Sequence, residues 1–333
     1  MRAIELQDGP GLANLKLVER ADPRPGPGEV LVKLHAATLN YRDLLTIEGT
    51  YGVRLRTPLI PLSDGCGVVV ETGEGVGRVE IGDRVCPLFF QDWLSGSRLE
   101  QPRLTALGGP LDGVAAEYIC LGEHGVSKVP SFLSDAQAAA LPCAGLTAWS
   151  ALFVEARAKP GDVVLLQGTG GVSIFGLQLA KAAGCTVIIT SSSDEKLEHA
   201  TALGADHTIN YVRTPEWGSA ARKLTDGRGV DHVLEVGGKE TLAESFRALR
   251  SGRHVSLIGL LSGRAEGSIG LGANVRSIYV GNRFDFEEMC RGMETNRIEP
   301  VVDQSFKLGE IPDALRFMKE GRHFGKIAIA IGD

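Results

Sequence analysis

No apolar run in the 333 residues reaches the roughly 18 consecutive positions a membrane-spanning helix needs, so a helical membrane protein is not expected. The amino terminus, MRAIELQDGPG, puts charge and glycine where a secretion signal needs an apolar stretch, which points to the cytoplasm. No run of Lys or Arg occurs and the net charge is -6, so the basic footprint of a nucleic-acid binder is missing. The six cysteines (Cys66, Cys86, Cys120, Cys143, Cys185 and Cys290) never form CxxC, and a disulfide framework is not expected in so long a chain without a secretion signal. The 43 glycines have no three-residue period, which excludes collagen. GxSxG, HExxH and the P-loop lysine motif are all missing, so hydrolase and kinase readings lack support. The seven histidines form no spaced ligand pair, and none is assigned to catalysis.

What remains is an ordinary globular composition, 43% hydrophobic and 23% charged, in a chain long enough for about two domains. The first third reads as β structure: short β-rich runs at 29–39, 67–73, 83–89 and 115–121, bounded by Gly and Pro. The segment 91–112 lacks periodicity and reads as a loop. After Gly122 the character changes. A helical stretch, 134–156, opens with the Ser134 cap signal and is interrupted by Pro142. Strands then alternate with helices: DVVLLQG, TVIITSS, HTINY, VDHVLEVGG and RHVSLIGLLSG supply the strands, and 276–284 reads as a sixth. This order implies a doubly wound parallel sheet covered by helices. A helix at 286–295 and a β-α-β tail complete the chain.

The strand DVVLLQG runs into Gly168, Thr169, Gly170, Gly171, Val172 and Ser173, then into a helix. This approximates GxGxxG: Gly168 permits the tight turn, Gly170 lets backbone approach a pyrophosphate, and the helix start supplies N–H groups. A small residue, Ser173, replaces the third glycine. An NAD site places Asp or Glu about 20 residues on. Here Ser191 and Ser192 stand at the end of the next strand, with Asp194 and Glu195 in the first turn of the following helix and Lys196 beside them. A neutral strand end with a nearby cation accepts a 2′-phosphate, so NADPH is the expected cofactor. The bland alternative is a serine-rich helix cap.

Several segments together carry a family resemblance: GEVLVKLHAATLNYRDL, DGCGVVVETGEGV with the GDRV turn, AAALPCAGLTAWSAL, the glycine loop, and HFGKIAIAI near the end. Over nearly its whole length the chain resembles the medium-chain dehydrogenase/reductase superfamily. The resemblance implies a GroES-like β-barrel domain (1–122 and 285–333), a Rossmann domain (123–284), and an active site in the cleft between them. Metal-dependent members use a cysteine, a His-Glu pair and a second cysteine. Those positions carry Asn40, Ser63 with Asp64, and Cys143, and the segment 91–112 lacks a four-cysteine zinc lobe. No bound metal is expected, and the chain is similar to the zinc-independent quinone oxidoreductases.

That branch implies further roles. Asn40 and Thr147 lie near the nicotinamide, Tyr51 faces the substrate, Lys196 and Tyr211 flank the adenosine phosphate, and the backbone of Gly259, Leu260 and Leu261 fixes the carboxamide. Leu45 departs from the pattern where quinone reductases often place a tyrosine. Without a metal, a polar side chain or water must stabilise a developing oxyanion and deliver a proton. Tyr51 is the first candidate; Tyr41 and Asn40 are secondary. The expected function is NADPH-dependent reduction of a small quinone, enone or related carbonyl compound. The alternatives are an alcohol or aldehyde dehydrogenase that lost its metal, and a non-catalytic NADPH-binding sensor or structural protein. Because the edge strand read at 276–284 would otherwise stay unpaired, a homodimer is expected.

Overall fold

The computed structural model describes residues 1–52, 55–96, 105–259 and 272–332. They form two compact units, Met1–Leu146 with Gly281–Asp333, and Thr147–Val280.

In chain order, the first unit begins with β1 (Arg2–Leu6) and β2 (Leu15–Glu19), an antiparallel pair that the sequence reading missed. There follow β3 (Glu29–Thr38), α1 (Tyr41–Ile47), β4 (Asp64–Thr72), β5 (Arg84–Pro87), β6 (Tyr118–Gly122), β7 (Val126–Lys128) and α2 (Asp135–Ala139). Helix α3 (Leu146–Trp149) leads into the second unit. That unit holds β8 (Val163–Gln167), α4 (Gly171–Ala182), β9 (Thr186–Ser191), α5 (Asp194–Ala202), β10 (His207–Asn210), α6 (Trp217–Lys223), β11 (Val230–Glu235), α7 (Leu242–Ala248), β12 (Leu249–Leu257) and β13 (Asn274–Ser277). The chain returns to the first unit with α8 (Arg283–Asn296), β14 (Val302–Lys307), α9 (Ile311–Lys319) and β15 (Lys326–Ala330).

The first unit is a seven-stranded sheet, ordered β14-β15-β3-β4-β5-β7 with β6 on β3. Alternating apolar residues such as Val30, Val32 and Leu34 of β3 feed its core, which Leu44 and Ile47 of α1 and Ile311 and Leu315 of α9 complete. The second unit is a six-stranded, all-parallel sheet ordered β10-β9-β8-β11-β12-β13. Its central strands, VVLLQ of β8 and VDHVLE of β11, are buried throughout, as a parallel sheet covered on both faces requires. The strand order reverses between β8 and β11, the position where such sheets open a crevice at their carboxyl ends. This is the expected α/β fold with a β-rich companion.

Two boundaries differ from the sequence reading. The first unit runs on to Leu146 rather than ending at 122, because α2 packs against β3 and β4. Ser134 caps that helix through the Gln137 N–H, and Arg84 holds Asp135 at 2.6 Å. The sixth strand is shorter than 276–284: β13 ends at Ser277, Val280 adopts a left-handed φ of 53°, and Asn282 accepts from the Asp285 N–H to start α8. The helical stretch 134–156 is interrupted around Pro142, where wider π-type turns replace α geometry. Among the described residues no helix is long and apolar enough to cross a membrane.

Candidate active site

In the second unit the predicted glycine loop sits at the carboxyl end of β8, at the strand-order reversal. Gly168 adopts φ 69°, the left-handed turn that a side chain disfavours. Gly170 caps α4 with an ordinary φ of -79°, and a Cβ built there meets nothing within 4 Å. Neither backbone conformation nor internal packing demands glycine at 170, and the space beside it is open. Thr169 is buried, Gly171 and Val172 begin α4, and the Ser173 hydroxyl donates to the Gln167 carbonyl at 2.6 Å. Ser173 thus ties the helix start to the strand end that precedes it.

The next two strands bring their own predicted residues to the same edge. Gln167 pairs with Thr190, and Asn210 with Ser191, so the ends of β8, β9 and β10 lie side by side. The Gly168 N–H reaches the Thr190 hydroxyl at 3.4 Å. Ser191 is buried and its hydroxyl accepts from the Ser193 N–H; Ser192 is exposed. Ser193 is the residue that caps α5, accepting from the Lys196 N–H at 3.3 Å. Asp194 lies in the first turn, as expected, and is held by Arg213 and Asn210. The Tyr211 N–H donates to the Ser191 carbonyl while its side chain stays exposed. Gly259 follows β12, with its N–H on the Glu235 carbonyl at 3.3 Å. Leu260 and Leu261 lie outside the described residues. Thr147 is buried within α3.

In the first unit the positions expected to replace metal ligands converge. Asn40 caps α1, and its own N–H donates to Asp43 at 2.8 Å. Its side-chain oxygen accepts from the Lys326 ammonium at 2.6 Å, and its Nδ2 donates to Ser63 at 3.3 Å. Ser63 donates to Asp64 at 2.9 Å, and the Cys143 N–H reaches the other Asp64 oxygen at 3.1 Å. Lys326, 3% exposed, also donates to the Leu39 carbonyl at 2.6 Å and lies 4.0 Å from Asp64. Burial lifts the Asp64 carboxyl above its ordinary value, against the pull of Lys326 and of its Asn40, Ser63 and Cys143 donors. Burial likewise raises Asp43 to about 6, opposed mainly by Arg42. Sequence reading missed Lys326; its only signal was its place in the HFGKIAIAI segment.

Arg42 is not a solvated residue. It is buried, pairs with Asp43 at 3.3 Å, and donates to the carbonyls of Leu107, Gly108 and Gly109. Its guanidinium lies 5.1 Å from the ring centroids of both Tyr51 and Phe89. Tyr51 therefore joins the Asn40 cluster through Arg42 and Asp43, whereas Tyr41 is 39% exposed at the start of α1. A surface cavity of about 430 Å³ in the second unit lies at the amino ends of β12 and β13, lined by Arg157, His232, His254 and Arg276, and contains none of the predicted residues.

The model of the alcohol dehydrogenase GroES-like domain matches residues 26–131, and that of the zinc-binding dehydrogenases matches residues 171–304. A zinc-type alcohol dehydrogenase-like protein of Schizosaccharomyces pombe is 43% identical over 96% of both chains. The crystal structure of a putative alcohol dehydrogenase from Sinorhizobium meliloti superposes with a TM-score of 0.92, at 40% identity over 99% of both chains. An NAD-dependent alcohol dehydrogenase gives 0.90 at 32% identity over the whole of both chains, and a mycobacterial protein complexed with NADPH gives 0.83 at 25% identity over 99% of both. The zinc named in the second model does not suit the residues here. Zinc takes thiolate, imidazole or carboxylate donors. Burial and the Asp64 charge push the Cys143 thiol well above its ordinary value, and the Asn40 oxygen already holds an ammonium. Among the described residues no group of three or more His, Cys, Asp or Glu is placed to hold a metal. With both units matched and 43% identity along nearly the whole length, the chain belongs to the medium-chain dehydrogenase/reductase superfamily, as an alcohol dehydrogenase-like oxidoreductase.

Proposed function

We propose that the chain is a metal-independent reductase of a quinone, enone or related small carbonyl compound, using NADPH. The observation that carries this reading is the end of β9, where neutral Ser191 stands beside the glycine loop, at a position where an NAD site holds a carboxylate. Gly168, Thr169, Gly170, Gly171 and Val172 would hold the pyrophosphate. Ser191, Ser192, Lys196 and Tyr211 would hold the 2′-phosphate end. Thr147 and the backbone from Gly259 would meet the nicotinamide end.

When bound, the reduced nicotinamide supplies a hydride to the electrophilic carbon of the substrate, whose oxygen takes the electron pair and then a proton. The protein's task is to bind, orient and protonate. Tyr51 is the proton donor in this reading: its phenol is a neutral acid, and its ring is held against Arg42. Asn40 is oriented by Lys326 and Ser63, and Tyr41 stands at the same helix start. A second reading, an alcohol or aldehyde dehydrogenase acting without metal, is supported by the alcohol dehydrogenases among the similar structures. We further propose a cytoplasmic homodimer in which β13, at the edge of the six-stranded sheet, pairs with its copy.

The test is a panel of quinones, enones, aldehydes and alcohols with NADPH, NADH and their oxidised forms, followed at the reduced-nicotinamide absorbance band. Consumption of NADPH with an enone or quinone is expected, with kcat falling roughly tenfold to a thousandfold in Tyr51→Phe. Turnover of alcohols alone moves the assignment to the second reading. Failure to bind either nucleotide overturns both.

A further inference from the structure

We infer that Glu235 is a nucleotide-positioning residue, the buried clamp that sets the loops around the cofactor crevice; this rests on the nucleotide-binding reading above. Glu235 ends β11, directly across the strand-order reversal from the glycine loop, and is fully buried. One carboxylate oxygen accepts from the N–H groups of Gly237 and Gly238, both at 2.9 Å, and from the Thr241 hydroxyl. The other accepts from the Gln167 amide at 2.7 Å and from the Ser245 hydroxyl. Among the described residues no cation pairs with it. Its charge is met entirely by neutral donors, so each donor is fixed by the need to satisfy a buried anion.

The donors come from three places that border the crevice. Gln167 is the last residue of β8; Gly168 follows it at once, and Ser173 of α4 is tied to its carbonyl. The Gln167 side-chain oxygen accepts from the N–H groups of Val236 and Gly237, at 3.2 and 3.1 Å. Two facing donors identify that atom as the oxygen, so the amide N–H₂ necessarily points at Glu235. The Glu235 backbone carbonyl accepts from the N–H groups of Ile258 and Gly259 after β12. There the approach is so close that a Cβ on Gly259 would stand 2.0 Å from the Val236 carbonyl oxygen. The exits of β8 and β11 are thus held by the Glu235 carboxylate, and that of β12 by the backbone carbonyl of the same residue. In the proposed complex these loops carry the pyrophosphate contacts and the nicotinamide contacts, so Glu235 acts on the nucleotide through them.

The geometry makes a specific rescue possible. Glu235→Gln alone turns one oxygen into a donor facing the Gln167 donor. Adding Gln167→Glu reverses that hydrogen bond: the new amide at position 235 donates to the new carboxylate at position 167. That carboxylate still accepts from the Val236 and Gly237 N–H groups. The experiment measures NADPH dissociation constants by calorimetry, and melting temperatures, for the wild type, both single variants and the double variant. Glu235→Gln is expected to weaken NADPH binding roughly tenfold to a hundredfold, with the double variant recovering most of it. Amide exchange at 236–238 should rise in the single variant and return in the double. A variant that loses melting temperature but binds NADPH as the wild type does would make Glu235 a stability residue only and overturn the inference. Equal loss in the single and double variants would also overturn it. If the single variant does not fold, the double variant carries the test: unchanged affinity supports the clamp, and loss of affinity in a folded protein rejects it. Failure of the wild type to bind any nucleotide would instead overturn the function on which the inference rests.

Discussion

The two units each bury carboxylates among their candidate site residues, and they neutralise them in opposite ways. In the first, Asp43 and Asp64 are fully buried and set against cations, Arg42 and Lys326, with hydroxyl and amide donors between. In the second, Glu235 meets neutral N–H and O–H groups. A buried charge balanced by another charge depends strongly on its partner, because removing one leaves the other stranded. A buried charge balanced by many neutral donors depends on loop geometry instead. Damage to the first cluster should therefore appear as lost stability and pH sensitivity, and damage to the second as lost nucleotide affinity.

The sharpest way to break this contrast is Lys326→Met. Asp64 then keeps its Ser63 and Cys143 donors and loses the ammonium beside it. The expected cost is about 3–5 kcal/mol of folding stability, read by chemical denaturation. Adding Asp64→Asn should recover much of it, since the double variant removes the stranded charge. A single variant as stable as the wild type would mean that Asp64 is already neutral in the folded protein and that the cluster is not a charge-balanced one.

The next effect concerns pH. Burial lifts Asp43 from the ordinary 3.8 to about 6, with Arg42 and Lys326 pulling down and Asp64 pushing up. The folded state therefore binds the proton more tightly than the unfolded one. The resulting stabilisation is full below pH 3.8 and is lost as pH rises through about 6, a change of about 3 kcal/mol. Other carboxylates impose slopes of their own, so the measurement is a difference. Between about pH 4 and 7 the wild type should lose stability relative to Asp43→Asn, measured by denaturation at each pH. Parallel curves for the two proteins would show that Asp43 stays ionised throughout and that Arg42 outweighs its burial.

How much of this was legible beforehand depended on the range of the interactions. The glycine loop, the alternation of strands and helices, and the Ser134 cap are local patterns, and they survive in the fold. Asn40, Ser63, Asp64 and Cys143 were picked out one by one through the family resemblance, and they do come together. Lys326 could not be placed there, because it reaches Asn40 across 286 residues of sequence. Arg42 could not be placed for a related reason: its partners at 107, 108 and 109 lie in a segment with no periodic signal. Glu235 and Gln167 looked like the apolar-flanked ends of two strands, and only the parallel register between β8 and β11 makes them neighbours. The edge strand was overextended because RSIYVGNRF has β composition, while the Asn282 cap that begins α8 outweighs it.

The smallest of these effects lies at the end of β9 and sharpens the second half of the contrast. Ser191→Asp introduces a carboxylate at a buried strand end where neutral groups now prevail. The position tolerates it locally, since the side chain already accepts from the Ser193 N–H at 3.2 Å and a carboxylate is a stronger acceptor. In the proposed complex that carboxylate would repel a 2′-phosphate and accept from a 2′-hydroxyl, so both effects favour NADH. One partly desolvated charge contact of this kind contributes about 1.5–3 kcal/mol, roughly tenfold to a hundredfold in affinity. NADPH should therefore bind more weakly and NADH more tightly, with the Asp43 pH response unchanged, because the first unit is untouched. Ser192→Asp is the control: Ser192 is exposed, so solvent should screen its charge and the preference should move much less. Titrating both nucleotides into the three proteins decides it. Equal or tighter NADH binding by the unmodified chain would remove Ser191 from the argument, and the ribose contact would then have to come from backbone groups at the ends of β9 and β10.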